Sequence, residues 1–260
     1  MRRLLFASPL LLLLAPAANA TVLWRGDFST GDISQWTSPQ SDALPGQSWD
    51  PHRLSIITTV HPPDNPRALQ VILNAGDIAW NTNHTPPIYM GSRTEVTHAA
   101  VLGEGAERWY RWEAFFPSIY AVNDGKGGGA VFTQWHHTSP TQGEPGSPPI
   151  LFSALTNQLQ LVHVPYLNSQ AADVLWQTPL IKEQWHTFVL HVIFSSNPSA
   201  GLVDLTYDGQ HVLSQNTNTL FPGFTDYLKM GLYRRPNATP SDLILLANMV
   251  EATAASDVGL

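Results

Sequence analysis

Three short segments that lie far apart in the chain carry the residue types needed for acid–base chemistry next to a carboxylate. They are Ser92-Arg93-Thr94-Glu95-Val96, Gln134-Trp135-His136 and Tyr227-Leu228-Lys229-Met230-Gly231-Leu232-Tyr233. A guanidinium, an amide, an imidazole and a phenol are the groups that can remove a proton from a carbon beside a carboxylate and expel an oxygen leaving group. We therefore take these segments as candidate parts of one site.

The polar residues in each segment are spaced two positions apart. This period sends alternate side chains of a β-strand to the same face. If the three segments are strands, one shared surface receives Arg93 with Glu95, Gln134 with His136, and Tyr227 with Lys229 and Tyr233. His137 is then expected on the opposite face, and Gly231 is expected to leave space where a ligand approaches the sheet.

The rest of the chain is typical of an all-β protein. Short runs rich in β-branched and aromatic residues alternate with Pro, Gly, Asn, Asp and Ser, a pattern that predicts a sandwich or a barrel. Asp208-Gly209 predicts a hairpin, and residues 243–250 are predicted as a terminal strand that closes the sheet. The other predicted strands are 54–60, 68–73, 108–116, 130–136, 150–154, 158–164, 187–194, 201–207 and 228–234.

Residues 1–20 have the character of a secretory signal peptide. Arg2 and Arg3 precede an apolar stretch, and Ala18-Asn19-Ala20 is a small-residue cleavage site. We expect cleavage after Ala20, export to the periplasm or the medium, and no membrane association afterwards. Residues 21–260 then form a single domain, since no repeat, low-complexity tract or composition shift divides them.

Charge and cysteine content narrow the function classes. Without Arg2 and Arg3 the mature chain has 11 basic and 20 acidic residues, a balance that argues against a nucleic acid partner. The absence of Cys excludes disulfides and thiolate zinc sites. An anionic substrate would need the few cations concentrated at the site, and Arg93, Lys229, Arg234 and Arg235 all lie in or beside the three segments.

At these residues the chain resembles the jelly-roll alginate lyases. Arg93-Thr94-Glu95-Val96 is similar to their Arg-Ser/Thr-Glu-Leu motif, residues 134–136 to their Gln-Ile/Val-His, and residues 227–233 to their Tyr-Phe-Lys-Ala-Gly-x-Tyr. The wider chain is similar to glucuronan lyases and heparin lyase I-like proteins, in Gly26-Asp27-Phe28-Ser29-Thr30-Gly31-Asp32 and in Glu183-Gln184-Trp185-His186. The resemblance implies a β-jelly roll of two antiparallel sheets with a concave substrate groove.

Some positions depart from the alginate lyase pattern. Val96-Thr97 stands where those enzymes usually have Leu-Arg, Trp135 replaces a β-branched residue, and Arg234-Arg235 replaces Asn-Gln. The substrate polymer therefore remains open among glucuronan, alginate and similar uronate polymers.

The resemblance implies a polysaccharide lyase that acts by β-elimination. Arg93 and Gln134 would neutralise the uronate carboxylate, His136 would remove the C5 proton, and Tyr233 would protonate the leaving oxygen. For the opposite C5 configuration Tyr233 would act as both acid and base. Lys229 would lower the pKa of the tyrosine or hold a neighbouring carboxylate, and we place Lys229, Arg234 and Arg235 in substrate binding.

Other interpretations of the same residues stay open. Arg93 and Glu95 could form an ordinary ion pair, with Glu95 serving only to orient Arg93. The protein could be a noncatalytic carbohydrate-binding jelly roll, or a glycoside hydrolase on a similar sandwich, which would need two carboxylates flanking the scissile bond. We expect no cofactor and no metal, and a monomer.

Overall fold

The computed structural model describes residues 21–41, 52–77, 80–81, 88–89, 91–120, 129–138, 146–169, 171–235 and 240–260. The predicted signal peptide at residues 1–20 lies outside this part of the chain, as do residues 121–128 and 139–145, which belong to the loops on either side of the segment 134–136. Within the described residues, no helix has both the length and the apolar character needed to cross a membrane.

The described chain is built almost entirely of strands. A single short 3₁₀ helix, at Ala255–Val258, follows the last strand. In chain order the strands are β1 (Val22–Gly26), β2 (Ser38–Ser41), β3 (Leu54–Ile57), β4 (Ala68–Leu73), β5 (Trp80–Asn81), β6 (Ile88–Tyr89), β7 (Ser92–Leu102), β8 (Glu107–Phe115), β9 (Ala130–Thr138), β10 (Ile150–Ala154), β11 (Gln158–His163), β12 (Asp173–Pro179), β13 (Trp185–Ile193), β14 (Leu202–Tyr207), β15 (Gln210–Asn216), β16 (Thr225–Arg234) and β17 (Asp242–Ala252).

The strands form two large antiparallel sheets. The eight-stranded sheet has the order β15-β14-β13-β8-β17-β4-β3, with β1 also paired to β17. The seven-stranded sheet has the order β12-β11-β10-β9-β16-β7-β2, and β5 pairs with β6 separately. This arrangement confirms the predicted all-β fold, a jelly-roll sandwich of two antiparallel sheets.

The hairpin predicted at Asp208-Gly209 is present. Tyr207 of β14 pairs with Gln210 of β15, so Asp208 and Gly209 between them form the whole turn. Asp208 has φ of 46° and Gly209 has φ of 76°, the positive angles that a two-residue hairpin turn requires. The dipeptide thus encodes this turn locally.

Aromatic side chains from both sheets pack together in the core. The Trp112 ring of β8 lies 6.0 Å from the Trp135 ring of β9 and 5.0 Å from the Phe152 ring of β10, measured between centroids. All three side chains are fully buried, and each contributes on the order of 2 kcal/mol by burial. Because Trp135 points into the core, strand alternation turns its neighbours Gln134 and His136 toward the outer face of the seven-stranded sheet.

The last strand differs in position from the prediction. Residues 243–250 do form a strand, but β17 lies between β8 and β4 inside the eight-stranded sheet and does not close it. The physical reason is its almost continuous apolar sequence, which suits a strand with both faces covered. One face packs in the core through Leu246 and Met249, while Val250 packs with Val258 of the 3₁₀ helix on the other.

Candidate active site

Strand β16 lies between β7 and β9, and this brings the three motif segments side by side. Tyr233 pairs with Arg93 of β7, and Lys229 pairs with Gln134 of β9. The segments are therefore neighbours in one sheet, although about 40 residues separate the first from the second and about 90 separate the second from the third.

Four of the predicted site residues line one cavity on the outer face of the seven-stranded sheet. This cavity, called the first cavity here, has a volume of about 380 Å³ and contains Arg93, Gln134, His136 and Tyr233 in its wall. Its size suits a sugar ring, and its wall brings a cation, an amide, an imidazole and a phenol around one bound group. The other lining residues are Val131, Gly146, Ser147, Pro148, Leu151, Asn168 and Ser169.

Sequence reasoning found only part of the second wall of the first cavity. Ser147 lies in the Pro- and Gly-rich loop 137–149, for which the sequence left both a solvated turn and a groove wall open. Leu151 of β10, which pairs with Gln134, and Asn168 and Ser169, which follow β11, were marked by no motif or spacing. They could have been found only if the order of the strands had been known.

Glu95 is the centre of the polar network beside the first cavity. Its buried carboxylate accepts a hydrogen bond from the Gln134 amide nitrogen and lies 2.8 Å from the Lys229 ammonium. An Arg93 guanidinium nitrogen is 3.7 Å from the same carboxylate oxygen that meets Lys229. Glu95 therefore orients three residues, and not Arg93 alone as the ion-pair interpretation supposed.

Lys229 is fully buried and its charge is balanced by Glu95. Burial lowers the pKa of Lys229 to about 8, although the Glu95 carboxylate opposes this shift. Of the two roles considered from the sequence, this contact matches the one in which Lys229 holds a neighbouring carboxylate. The neighbouring Tyr227 has its pKa raised to about 12, mainly by burial, so its hydroxyl stays protonated at neutral pH.

Arg93 stacks on the phenol ring of Tyr233. The guanidinium carbon lies 4.6 Å from the ring centroid, a cation–π geometry. On another side the ring packs closely against Gly91, where a Cβ atom would overlap it. These contacts hold the Tyr233 ring in one orientation at the cavity wall.

His136 is arranged as a neutral imidazole. Its Nδ1 atom lies 2.9 Å from the backbone carbonyl oxygen of His137, and a carbonyl can only accept, so Nδ1 carries the proton and Nε2 keeps its lone pair. Burial, together with the positive charge of Lys229, holds the pKa of His136 well below its usual value of 6.5. An unprotonated Nε2 at neutral pH is the property that a general base needs.

His137 does not separate fully from His136. The two rings are stacked, with centroids 4.6 Å apart, whereas a flat strand would send them to opposite faces. His137 is buried and also packs against Phe221 and Phe224, at 5.4 and 5.6 Å. The end of β9 thus departs from strict alternation next to the candidate base.

Glycine is needed at position 231 for a reason other than the expected space for a ligand. Its φ is 151°, and a Cβ atom there would overlap the backbone carbonyl oxygen of Thr94 in the neighbouring strand β7. The residue therefore permits close approach of two strands of the sheet, and it does not line the first cavity.

The two arginines after Tyr233 have different surroundings. Arg234 is only 1% exposed, forms a buried ion pair with Asp242, and donates to the carbonyl oxygens of Pro240 and Asn74. Its side chain lies away from the first cavity, which departs from the expectation that it binds substrate. The physical reason is alternation, which turns Arg234 inward beside Tyr233. Arg235 is exposed at the end of β16.

The described residues contain no group of three or more His, Asp or Glu side chains placed to hold a metal ion. The side chains that line the first cavity offer a neutral base, a phenol, an amide donor and a guanidinium, the groups required for proton removal next to a carboxylate.

The sequence matches one family model. The family is described as Polysaccharide lyase, and the match covers residues 28–249. It includes the three motif segments and every described residue that lines the first cavity. No curated protein sequence matches the chain.

Several solved structures share the fold. The endo-β-1,4-glucuronan lyase of the fungus Trichoderma reesei is 17% identical at a TM-score of 0.65, over 92% of this chain and 98% of that one. Alginate lyase Aly36B is 15% identical at a TM-score of 0.56, over 88% of this chain and 92% of that one. Alginate lyase A1-II′, of polysaccharide lyase family 7, is 14% identical at a TM-score of 0.57, over 78% of this chain and 84% of that one. At these identities the similarity shows the fold alone.

Proposed function

Because the chain belongs to the polysaccharide lyase family, we propose that its first cavity cleaves a uronic-acid-containing polysaccharide by β-elimination and leaves an unsaturated uronate end. One observation carries this proposal, namely that Arg93, Gln134, His136 and Tyr233 line the same cavity. Glucuronan and alginate are the polymers to test first, since solved proteins of the same fold are a glucuronan lyase and alginate lyases.

Neutralising the substrate carboxylate is the first requirement. A uronate bears its negative charge next to C5, and that charge opposes removal of the C5 proton. Arg93 can pair with the carboxylate, and Gln134 can donate its second amide hydrogen while the first is held by Glu95. Both contacts strengthen as negative charge builds up in the transition state.

His136 is the proposed base. Its Nε2 lone pair is directed away from the Nδ1 contact with the His137 carbonyl, and its lowered pKa keeps the ring neutral. The C5 proton passes to Nε2, and the electron pair moves to form the C4–C5 double bond as the C4–O bond breaks.

Tyr233 is the proposed acid. Its hydroxyl donates a proton to the departing C4 oxygen, and the phenolate that remains is stabilised by Arg93, whose guanidinium lies over the ring. For a uronate of the opposite C5 configuration, Tyr233 takes both the acid and the base role.

Lys229 and Arg235 have supporting roles. Lys229 contributes its charge through Glu95, which it contacts. Arg235 is exposed at the end of β16, two residues beyond Tyr233, and is proposed to contact the polymer outside the first cavity.

We also propose that the enzyme is exported. Residues 1–20 support this with a basic start, an apolar stretch and a small-residue cleavage site. A polymer too large to enter the cell requires an enzyme in the periplasm or the medium.

The activity is tested by incubating the purified mature protein separately with alginate, glucuronan and heparin. The expected result is a rise in the ultraviolet absorbance of unsaturated uronate with at least one polymer. The Tyr233→Phe protein, prepared in the same way, controls for contaminating lyases.

The alternative functions have distinct outcomes in the same assay. New reducing ends without ultraviolet absorbance would support a glycoside hydrolase and overturn the proposed elimination. Binding of a polymer without either signal would support a noncatalytic carbohydrate-binding protein.

A further inference from the structure

A second cavity lies on the same sheet as the first. It has a volume of about 280 Å³ and is called the second cavity here. The residues that matter for its chemistry are Ser38, Gln40, Thr97, Thr138, Asp226 and Tyr227. None of them lines the first cavity.

The two cavities occupy one continuous face. Thr97 lies on β7 at even spacing from Arg93, so both side chains point to the outer face, separated by about 13 Å at the usual rise of a strand. Thr138, two residues after His136 at the end of β9, also lines the second cavity. Tyr227 joins the two sites, because its ring lies 5.7 Å from the His136 ring and it also lines the second cavity. A polymer bound in the first cavity can therefore extend into the second.

The second cavity offers hydroxyl groups as hydrogen-bonding partners. The Ser38 and Thr97 hydroxyls lie 2.7 Å apart, and the Thr138 hydroxyl donates to the backbone oxygen of Thr225. A hydroxyl both donates and accepts, which matches the hydroxyl groups of a sugar. Tyr227 adds a ring against which a sugar face can pack.

No Lys or Arg side chain lines the second cavity within the described residues. Asp226 does line it; both of its carboxylate oxygens are buried with no hydrogen-bond partner among the described residues, and burial raises the pKa of this carboxyl well above its usual range. Among the described residues, Arg93 is the only Lys or Arg that lines either cavity.

Half of the other cations are held in ion pairs with carboxylates of the protein. The mature chain has 11 Lys and Arg residues, and five of the ten besides Arg93 are paired in this way. These pairs are Arg53 with Asp77, Arg108 with Glu251, Arg111 with Glu113, Lys229 with Glu95, and Arg234 with Asp242. A polymer with a carboxylate on every sugar would place one in the second cavity, where a charge without a partner is unfavourable.

We propose that the second cavity binds an uncharged sugar of the polymer whose uronate occupies the first cavity. This inference rests on the proposed lyase function. The preferred substrate class is then a heteropolysaccharide in which uronic acids are separated by neutral sugars, and not a polyuronate.

The test compares kcat/KM of the mature protein on two kinds of polymer. Glucuronan and alginate have a carboxylate on every sugar. In hyaluronan and deacylated gellan, glucuronic acid is flanked by uncharged sugars. We expect kcat/KM to be higher on one of the second pair by on the order of tenfold, the scale of the cost of one polar group left without a partner.

Thr138→Arg places a cation in the second cavity and should shift the kcat/KM ratio toward glucuronan by on the order of tenfold. Gln40→Arg serves the same purpose if the first variant does not fold. Val212→Arg, which adds the same charge to an exposed position of the other sheet, should leave the ratio unchanged.

The outcomes separate this inference from the proposed function. Higher kcat/KM on glucuronan or alginate than on both other polymers would overturn the inference and leave the lyase function standing. An unchanged ratio in the folded cavity variants would also overturn it. Absence of unsaturated product from all four polymers would overturn the proposed function, and this inference with it.

Discussion

The ammonium group of Lys229 lies 2.8 Å from a carboxylate oxygen of Glu95, and an Arg93 guanidinium nitrogen lies 3.7 Å from the same oxygen. One buried carboxylate thus faces two cations. These three side chains together carry one net positive charge. Under the proposed function, this charge attracts one uronate carboxylate to a point on the surface of an acidic protein.

We predict that Glu95→Gln lowers the free energy of unfolding by about 3–5 kcal/mol, because it leaves the Lys229 charge buried without its partner. Denaturant unfolding measures the change. Adding Lys229→Met should restore part of the loss. Glu107→Gln, at the hydrogen bond between the exposed Glu107 carboxylate and the His191 ring, is the matched control and should change stability by no more than about 1 kcal/mol. Equal stability of the Glu95→Gln and parent proteins would contradict the prediction.

We predict that Tyr233→Phe, His136→Ala and Arg93→Ala each lower kcat by about 10²–10⁴-fold, the usual effect of losing a positioned acid, base or charge. Circular dichroism should show an unchanged fold. Tyr166→Phe and His211→Ala alter exposed residues that line neither cavity and should retain full activity. Near-normal turnover by Tyr233→Phe would refute the acid role.

The dependence of kcat/KM on pH should reflect the pKa of His136. Its pKa is held well below 6.5, so the base remains neutral in mild acid and the acid limb of kcat/KM should lie below pH 6.5. In Lys229→Met a repelling positive charge is removed, so the pKa of His136 rises and the acid limb moves to higher pH. Measurement of kcat/KM against pH for both proteins tests whether the acid limb shifts. A limb that stays in place would show that Lys229 does not act on the base.

Substitutions of the two adjacent arginines should have different effects, on the free energy of unfolding at Arg234 and on substrate binding at Arg235. Arg234→Met removes one partner of a buried ion pair with Asp242 and should cost about 3–5 kcal/mol of unfolding free energy, with normal kcat/KM for the molecules that remain folded. Arg235→Ala should raise KM and leave stability almost unchanged. Each variant is the control for the other, and loss of polymer affinity with full stability in Arg234→Met would reverse the assignment.

Gly231→Ala should destabilise the protein severely, by about 3 kcal/mol or more. The added methyl group would overlap the Thr94 carbonyl oxygen, at a φ that L residues rarely adopt. The midpoint of thermal unfolding measures this effect. Gly209 also has positive φ, but a Cβ atom added there would meet no other atom within 4 Å, so Gly209→Asn should be tolerated. Similar midpoints for the two variants would contradict the steric argument.

Several features of the fold and the site could be predicted from the sequence because they depend on local geometry. Side chains two apart in a strand share a face whatever the strand pairs with, so the grouping of Gln134 with His136 needed no knowledge of the sheet. The Asp208-Gly209 turn is local in the same sense. The types of residue in the three motif segments also indicated acid–base chemistry next to a carboxylate.

Other features depend on contacts between distant parts of the chain. The burial of Arg234, the position of β17 inside its sheet and the network around Glu95 follow from strand order and register, which no short segment encodes. The bend that brings the His136 and His137 rings together depends on packing against Phe221 and Phe224. Spacing along single strands therefore predicted which candidate groups share a face, whereas the pairing of those strands determined which cations lie at the site and which are held in buried ion pairs.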